Sequence, residues 1–244
     1  MRKVIFKSFS DLKHRFFSSI FLASFFLMLL CFTIFSDYLI RFYFSGVDSF
    51  LLLIVKASLM LLLVCPLYYG TFLWFCETSK RYRHHFLEAF GFFTSIKLIF
   101  RSIIHFITKL LLFSFYVLPS IILAFASVFC FNIALNFSDI RLVFLGACVL
   151  IISLCVFILG LISYTKYSLS DYIFVTCPDL SVFSSFSLSR KCTKGMLSHL
   201  FLYKLKLFLL SAVLIFIAPV AFCINNLALS KIYCNLYEQS PRID

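Results

Sequence analysis

The sequence predicts an all-α protein, a polytopic bundle of about five transmembrane helices with amphipathic interfacial helices on the cytoplasmic side. Three observations predict it. The composition is 63% hydrophobic and 13% charged, with a mean hydropathy of +1.06, whereas a soluble domain is about half apolar and a quarter charged. Apolar runs long enough to cross a bilayer recur along the 244 residues, and Lys and Arg gather in alternate connections. A soluble enzyme and a soluble nucleic-acid binder are therefore excluded.

Five apolar runs divide the chain, which we interpret as a single integral membrane domain covering 1–244. A hydrocarbon core of about 30 Å requires roughly 20 apolar residues per helix. The runs lie at about 16–36, 49–76, 107–137, 142–163 and 202–226. The first is interpreted as a retained anchor. The third is longer than one straight span and contains Pro119, so a tilt or kink is expected there. Pro219, Asn225 and Asn226 leave a re-entrant turn open for the fifth.

The distribution of Lys and Arg predicts how these spans are oriented. Segments 1–15, 77–109 and 164–206 hold 17 of the 22 basic residues, while the three other connections hold four. Cytoplasmic connections carry the excess of Lys and Arg, so the N-terminus is predicted in the cytoplasm and the C-terminus outside. Lys56 lies within the second run, where snorkelling toward the interface and a functional role are alternatives. Membrane orientation explains the basic surface more simply than nucleic acid does, and no nucleic-acid partner is expected.

Two cytoplasmic segments, about 80–106 and 179–200, are predicted to form amphipathic interfacial helices. In the first, basic residues recur every four positions from Lys97 into the third span, and their side is expected to face headgroups. In the second, Ser181 is a plausible N-cap, and Gly195 is expected to interrupt the helix before the fifth span. Because anionic headgroups attract juxtamembrane cations, we predict lipid headgroup contact at six residues: Lys97, Arg101, Lys109, Arg190, Lys191 and Lys194.

A stripe of small residues in the fourth run predicts helix packing. Gly146, Ser153 and Gly160 recur every seven positions. Lipid gives helices no hydrophobic reason to associate, so close approach depends on small side chains along one face. This face is expected to meet another helix of the same chain.

The sequence carries no signature of catalysis, cofactor binding or metal binding. HExxH, GxSxG and a pair of intramembrane acids are absent, and the ten cysteines form no CxxC pair. His85 and Glu88 would share a helix face, but they supply only two ligands, and a solvated interfacial face is the simpler interpretation. We therefore expect no catalytic, cofactor-binding or metal-binding residue, and no cofactor.

One stretch of the chain carries a family resemblance. Residues 167–201 contain a tyrosine-bearing helix end, a proline turn, a serine-led helix, a Lys-Gly pair and a Leu-Phe pair that opens a membrane helix. This pattern resembles an uncharacterised family of bacterial integral membrane proteins, catalogued as a domain of unknown function. Thr176 replaces the acidic residue of the family's Asp-x-Pro turn. The resemblance implies a bacterial plasma-membrane location and no particular reaction. The matching residues are Tyr167, Tyr172, Pro178, Ser181, Ser189, Lys194, Gly195, Leu200 and Phe201.

Three hypotheses about function remain open at this point. The first is a non-enzymatic multi-pass membrane protein whose basic cytoplasmic segments contact membrane lipid, anionic lipid above all, or a membrane protein partner. The second is a transporter or channel subunit, for which Lys56 is the best residue. The third is a membrane-embedded enzyme acting on lipid or peptide. The first is preferred because intramembrane ionisable residues mark transport and catalysis, and the predicted spans contain few.

Overall fold

The computed structural model describes residues 18–25, 27–28, 49–80, 86–137, 139–213 and 218–239, and in these ranges it is all-helical with no strand. A π-helical segment, Met60–Val64, joins the helices Ser49–Leu59 and Cys65–Lys80, and 3-10 helices cover Phe86–Phe93 and Thr165–Tyr167. Residues 18–25 are also helical. The labelled helices are α1 (Ser49–Leu59), α2 (Cys65–Lys80), α3 (Ile96–Phe137), α4 (Ile140–Tyr164), α5 (Ser170–Thr176), α6 (Val182–Cys192), α7 (Leu197–Val213) and α8 (Ala218–Gln239).

Three helical stretches of the described residues are long and apolar enough to cross a membrane: Leu53–Ser79, Ile96–Phe137 and Ile140–Thr176. They overlap the second, third and fourth predicted spans. The first predicted span, 16–36, lies largely outside the described residues. The fifth, 202–226, coincides with α7 and the start of α8, and 214–217 are not described. The all-α prediction is thus confirmed, and three of the five predicted spans correspond to candidate membrane helices.

Helices α3 and α4 form an antiparallel hairpin that carries most of the exposed large apolar side chains of the described residues. The Asp139 side chain caps α4 by accepting a hydrogen bond from the Arg141 backbone N–H at 2.9 Å. Large apolar side chains stay exposed along both helices, among them Phe115, Phe125 and Phe129 on α3 and Phe144, Ile151 and Leu159 on α4. Soluble monomers rarely expose an apolar surface this extensive. The hairpin therefore has the outer surface of a membrane protein.

The small-residue stripe of α4 lies against α3. Gly146, Ser153 and Gly160 are all buried. The Ser153 hydroxyl donates to the Ser120 carbonyl at 2.8 Å, and a Cβ on Gly160 would lie 2.4 Å from the Tyr116 carbonyl oxygen. Two helix backbones approach this closely only where side chains are small. The hairpin is therefore held by backbone proximity and by serine hydroxyls.

A hydrophobic core of buried side chains surrounds α2. Tyr69, Phe72, Tyr172 and Phe174 pack together in the largest core cluster. The 3-10 helix Phe86–Phe93 lies so close to α2 that a Cβ on Gly70 would lie 1.7 Å from the Ala89 carbonyl oxygen. This core joins α2 to α5 and α8 and is built almost entirely from aromatic and aliphatic groups.

The predicted helix at 179–200 is divided in two by its glycine. Ser181 is the N-cap of α6, and its hydroxyl accepts from the Ser184 N–H at 3.2 Å, so the predicted cap is confirmed. Helix α6 ends at Cys192, and Gly195 has φ +86° before α7 begins at Leu197. Left-handed backbone is costly for residues other than glycine, which explains why the chain turns here, as the sequence predicts.

Candidate functional site

Three helices bring ionisable and phenolic side chains together in the interior of the protein. Helix α2 contributes Tyr68 and Tyr69, α3 contributes His105 and Lys109, and α5 contributes Asp171. We call these five residues the Asp171 cluster. The side chain of Asp171 is only 4% exposed, and His105 is fully buried. Charged groups at such depth require partners.

A buried ion pair is the centre of the cluster. The Lys109 ammonium donates to Asp171 Oδ2 at 2.5 Å and to the Tyr68 hydroxyl at 3.1 Å. The Tyr68 hydroxyl in turn donates to Asp171 Oδ2 at 3.4 Å. The other carboxylate oxygen, Oδ1, is buried and has no hydrogen-bond partner among the described residues. Oδ2 therefore accepts hydrogen bonds from Lys109 and Tyr68, whereas the charge on Oδ1 is not compensated by a hydrogen bond from the described residues.

His105 bridges the cluster to α6. Its Nδ1 lies 2.8 Å from the Tyr69 hydroxyl and 3.9 Å from Asp171 Oδ1, and its Nε2 lies 3.1 Å from the Ser185 hydroxyl. The ring stacks on Phe186 with centroids 4.6 Å apart. A neutral imidazole that accepts from Tyr69 and donates to Ser185 satisfies both contacts. The histidine thus ties α2, α3 and α6 together.

The basic stripe of α3 faces the protein over most of its length. Arg101, His105 and Lys109 are four residues apart and share one helix face. The Arg101 guanidinium donates to the carbonyl groups of Cys177 and Leu180 at 3.1 and 2.7 Å. This differs from the predicted headgroup-facing stripe. The physical reason is that carbonyl groups and a carboxylate of the α5 region offer these cations direct partners, whereas Lys97 is exposed.

The remaining predicted lipid-contact residues, Arg190, Lys191 and Lys194, are exposed at the end of α6 and in the turn that follows. Headgroup contact by any of the six residues stays a prediction. His85 lies outside the described residues. Among the residues that are described, no group of three His, Cys, Asp or Glu side chains is arranged to hold a metal ion.

The residues of the family pattern surround the junction between α4 and α6. Tyr172 is buried and donates to the Asn226 side-chain oxygen at 2.8 Å. The Ser189 hydroxyl donates to the Lys166 carbonyl at 2.8 Å and accepts from the Leu169 N–H at 3.2 Å. Leu200 is buried, Phe201 and Tyr167 are half-buried, and Pro178, Ser181 and Lys194 are exposed. Several of these residues therefore have structural roles in this fold.

A cavity of about 250 Å³ lies beside the Asp171 cluster. Its walls are largely apolar and include Met60, Val64, Leu110 and Phe113, while Lys109 reaches its edge. The cavity offers space for an apolar group next to a neutralised cation.

Sequence reasoning did not identify Asp171 as a functional candidate. The distribution of Lys and Arg places this residue in a predicted cytoplasmic segment, and its partners lie 62 positions away at Lys109 and 103 positions away at Tyr68. One signal was available: Asp171 is the only acid in the apolar stretch 167–177. An isolated acid in such a stretch requires a buried partner.

No protein-family model matches this chain, and no curated protein or solved structure is significantly similar to it.

Proposed function

We propose that this chain is a non-enzymatic, multi-pass protein of a bacterial plasma membrane that contacts anionic lipid, or a membrane protein partner, through basic cytoplasmic segments. One observation carries the proposal. Arg190, Lys191 and Lys194 are exposed where α6 ends, beside the hairpin whose outer surface is apolar. Juxtamembrane cations gain about 1 kcal/mol each from anionic headgroups. The bacterial plasma-membrane location rests on the family resemblance.

The proposed topology has five spans, amphipathic helices at the cytoplasmic surface, a cytoplasmic N-terminus and an external C-terminus. The antiparallel hairpin supports it, because it brings the start of α3 and the segment after α4 to the same end, opposite Arg141. Both are basic segments. The first turns of α3 also expose Ile96, Phe100 and Ile104 on one side, an apolar face that can contact the membrane.

Fusion reporters test this topology. A reporter that is active only in the cytoplasm is expected to work at Met1 and within residues 80–100, and to fail after Asp244, because the basic connections stay inside. A reporter inserted after Asp139 should also fail and serves as the internal control. An active fusion after Asp244 would require an even number of spans and would contradict the five-span proposal.

Lipid selectivity tests the proposed function. The full-length protein is reconstituted with equal amounts of phosphatidylglycerol and phosphatidylcholine, extracted gently, and its retained lipid is measured. Phosphatidylglycerol is expected to be enriched, and changing Lys97, Lys191 and Lys194 together to Gln should remove most of the enrichment. High salt should also weaken it, since the screening length falls to about 3 Å at 1 M.

Arg141→Gln is the control for this measurement, because Arg141 lies at the opposite end of the hairpin, and its enrichment is expected to match wild type. Equal retention of both lipids by the wild-type protein would contradict lipid contact. Selective retention of a membrane protein partner without anionic lipid would favour the second part of the proposal.

A transporter or channel subunit is the second candidate, and the buried Asp171 carboxylate favours it. Asp171 is buried near the end of the candidate span Ile140–Thr176, and its Oδ1 has no hydrogen-bond partner among the described residues. Proton and cation pathways use such groups. A proton or cation flux in vesicles reconstituted with the wild-type protein, above that of protein-free vesicles, would favour this candidate over the first.

A further inference from the structure

Two cations and two tyrosines converge at the end of α4, outside the Asp171 cluster. The Lys166 ammonium lies over the ring of Tyr116, 4.7 Å from its centroid, and 5.2 Å from the centroid of Tyr167. The two rings are themselves 6.2 Å apart. Arg190 follows Ser189, whose hydroxyl donates to the Lys166 carbonyl at 2.8 Å, so the backbone of Arg190 lies near Lys166. We call these four residues the Lys166 patch.

Hydrogen bonds from buried side chains hold the backbone of the patch in place. The Lys166 carbonyl accepts hydrogen bonds from Ser189 at 2.8 Å and from Thr193 at 3.0 Å. Both hydroxyl-bearing residues are fully buried. They fasten the last turn of α6 onto the 3-10 helix after α4. The backbone of Arg190, next to Ser189, is thereby held near the backbone of Lys166.

The depth of the patch matches the headgroup layer. Exposed apolar side chains on α4 extend from Ile140 to Leu159, which is about 29 Å at 1.5 Å per residue and equals the thickness of a hydrocarbon core. Lys166 and Tyr167 follow within about two turns. Tyrosines concentrate at this boundary because their rings are apolar and their hydroxyls are polar.

The charge of the patch is not balanced within the described part of the protein. No described carboxylate lies within ion-pair distance of Lys166 or Arg190, whereas Lys109 has Asp171. Two cations and two phenolic hydroxyls offer donors to one phosphate group, and arginine suits phosphate oxygens by its fork of N–H groups. The neighbouring α3–α4 surface is apolar and can contact acyl chains.

We propose that the Lys166 patch binds the phosphate of one anionic phospholipid in the cytoplasmic leaflet, with the acyl chains along the outer surface of the α3–α4 hairpin. The inference rests on the proposed function, because it names a defined site within the broader lipid contact. The broader contact needs only accumulated charge, whereas this site needs Lys166 and Arg190 together.

Thermal unfolding of the delipidated full-length protein in detergent tests the site, with phosphatidylglycerol, phosphatidylcholine and inorganic phosphate as probes. Phosphatidylglycerol is expected to raise the unfolding midpoint saturably, with little effect from the other two. Lys166→Gln and Arg190→Gln should each raise the half-saturating phosphatidylglycerol concentration about tenfold, because each removes a charged hydrogen-bond donor.

Arg141→Gln is the matched control, since it removes the same charge from an exposed position at the opposite end of the hairpin, and it should keep the wild-type concentration. Lys166→Arg, which keeps the cation, should stay within about threefold of wild type. The unfolding midpoints without lipid show whether each variant is folded.

Three outcomes would overturn the site. Equal half-saturating phosphatidylglycerol concentrations in all variants would show that the site does not exist, while the broader lipid contact would still stand. Equal stabilisation by phosphatidylglycerol and phosphatidylcholine would remove both. Stabilisation by inorganic phosphate as strong as that by phosphatidylglycerol would assign the patch to a soluble anion instead of a lipid.

Discussion

Lys109→Met and Asp171→Asn are each expected to destabilise the protein by about 3–5 kcal/mol, the usual loss when one member of a buried ion pair is removed. In Lys109→Met the carboxylate loses its ammonium partner while remaining 4% exposed. In Asp171→Asn the ammonium loses its counter-charge. The free energy of unfolding in mixed detergent micelles measures both losses.

The double variant should recover at least half of the summed loss, since it leaves no uncompensated buried charge. Lys97→Met is the control. It removes a lysine from the exposed start of the same helix and should change the stability by no more than about 0.5 kcal/mol. Strictly additive losses in the double variant would show that the two residues stabilise the fold independently and would contradict the ion-pair account.

Gly70→Ala is expected to destabilise the protein by at least about 3 kcal/mol, because the new methyl group would overlap a backbone carbonyl. A Cβ at this position would lie 1.7 Å from the Ala89 oxygen and 2.7 Å from the Ala89 carbonyl carbon. Backbone atoms cannot rotate away as a flexible side chain can, so the 3-10 helix must separate from α2. This loss is expected even though helix propensity favours alanine over glycine by about 1 kcal/mol.

Gly91→Ala is the matched control within the same pair of elements. A Cβ there would meet only the end of the Leu73 side chain, at 3.9 Å, so the substitution should alter stability by less than about 1 kcal/mol and in the stabilising direction. Unfolding midpoints in detergent distinguish the two variants. A wild-type midpoint for Gly70→Ala would show that α2 and the 3-10 helix are not held at this distance.

Local signals in the sequence were sufficient for the class of protein and for several element boundaries. Hydropathy over windows of about 20 residues identifies lipid-facing helices because the bilayer solvates each segment independently. The cap at Ser181 and the turn at Gly195 depend on a few neighbouring residues, so they too could be predicted. The small-residue stripe of α4 is a further property of one segment.

The direction of the basic stripe could not be predicted in this way. A period of four residues shows that Arg101 and Lys109 share a face, but the same pattern suits a helix facing headgroups and a helix facing a carboxylate. The partner, Asp171, lies 62 positions from Lys109. Pairing across that distance depends on how α3 and α5 pack, and periodicity within α3 contains no information about α5.

Lipid solvation and helix capping act on contiguous residues, so hydropathy and charge along the chain are sufficient to identify an all-α membrane protein with apolar helices and strongly basic connections. The contacts of Lys109 with Asp171, of Gly70 with the Ala89 carbonyl and of Lys166 with Tyr116 become visible only in the folded protein. These contacts join distant segments, and their energies depend on the packing of several helices at once.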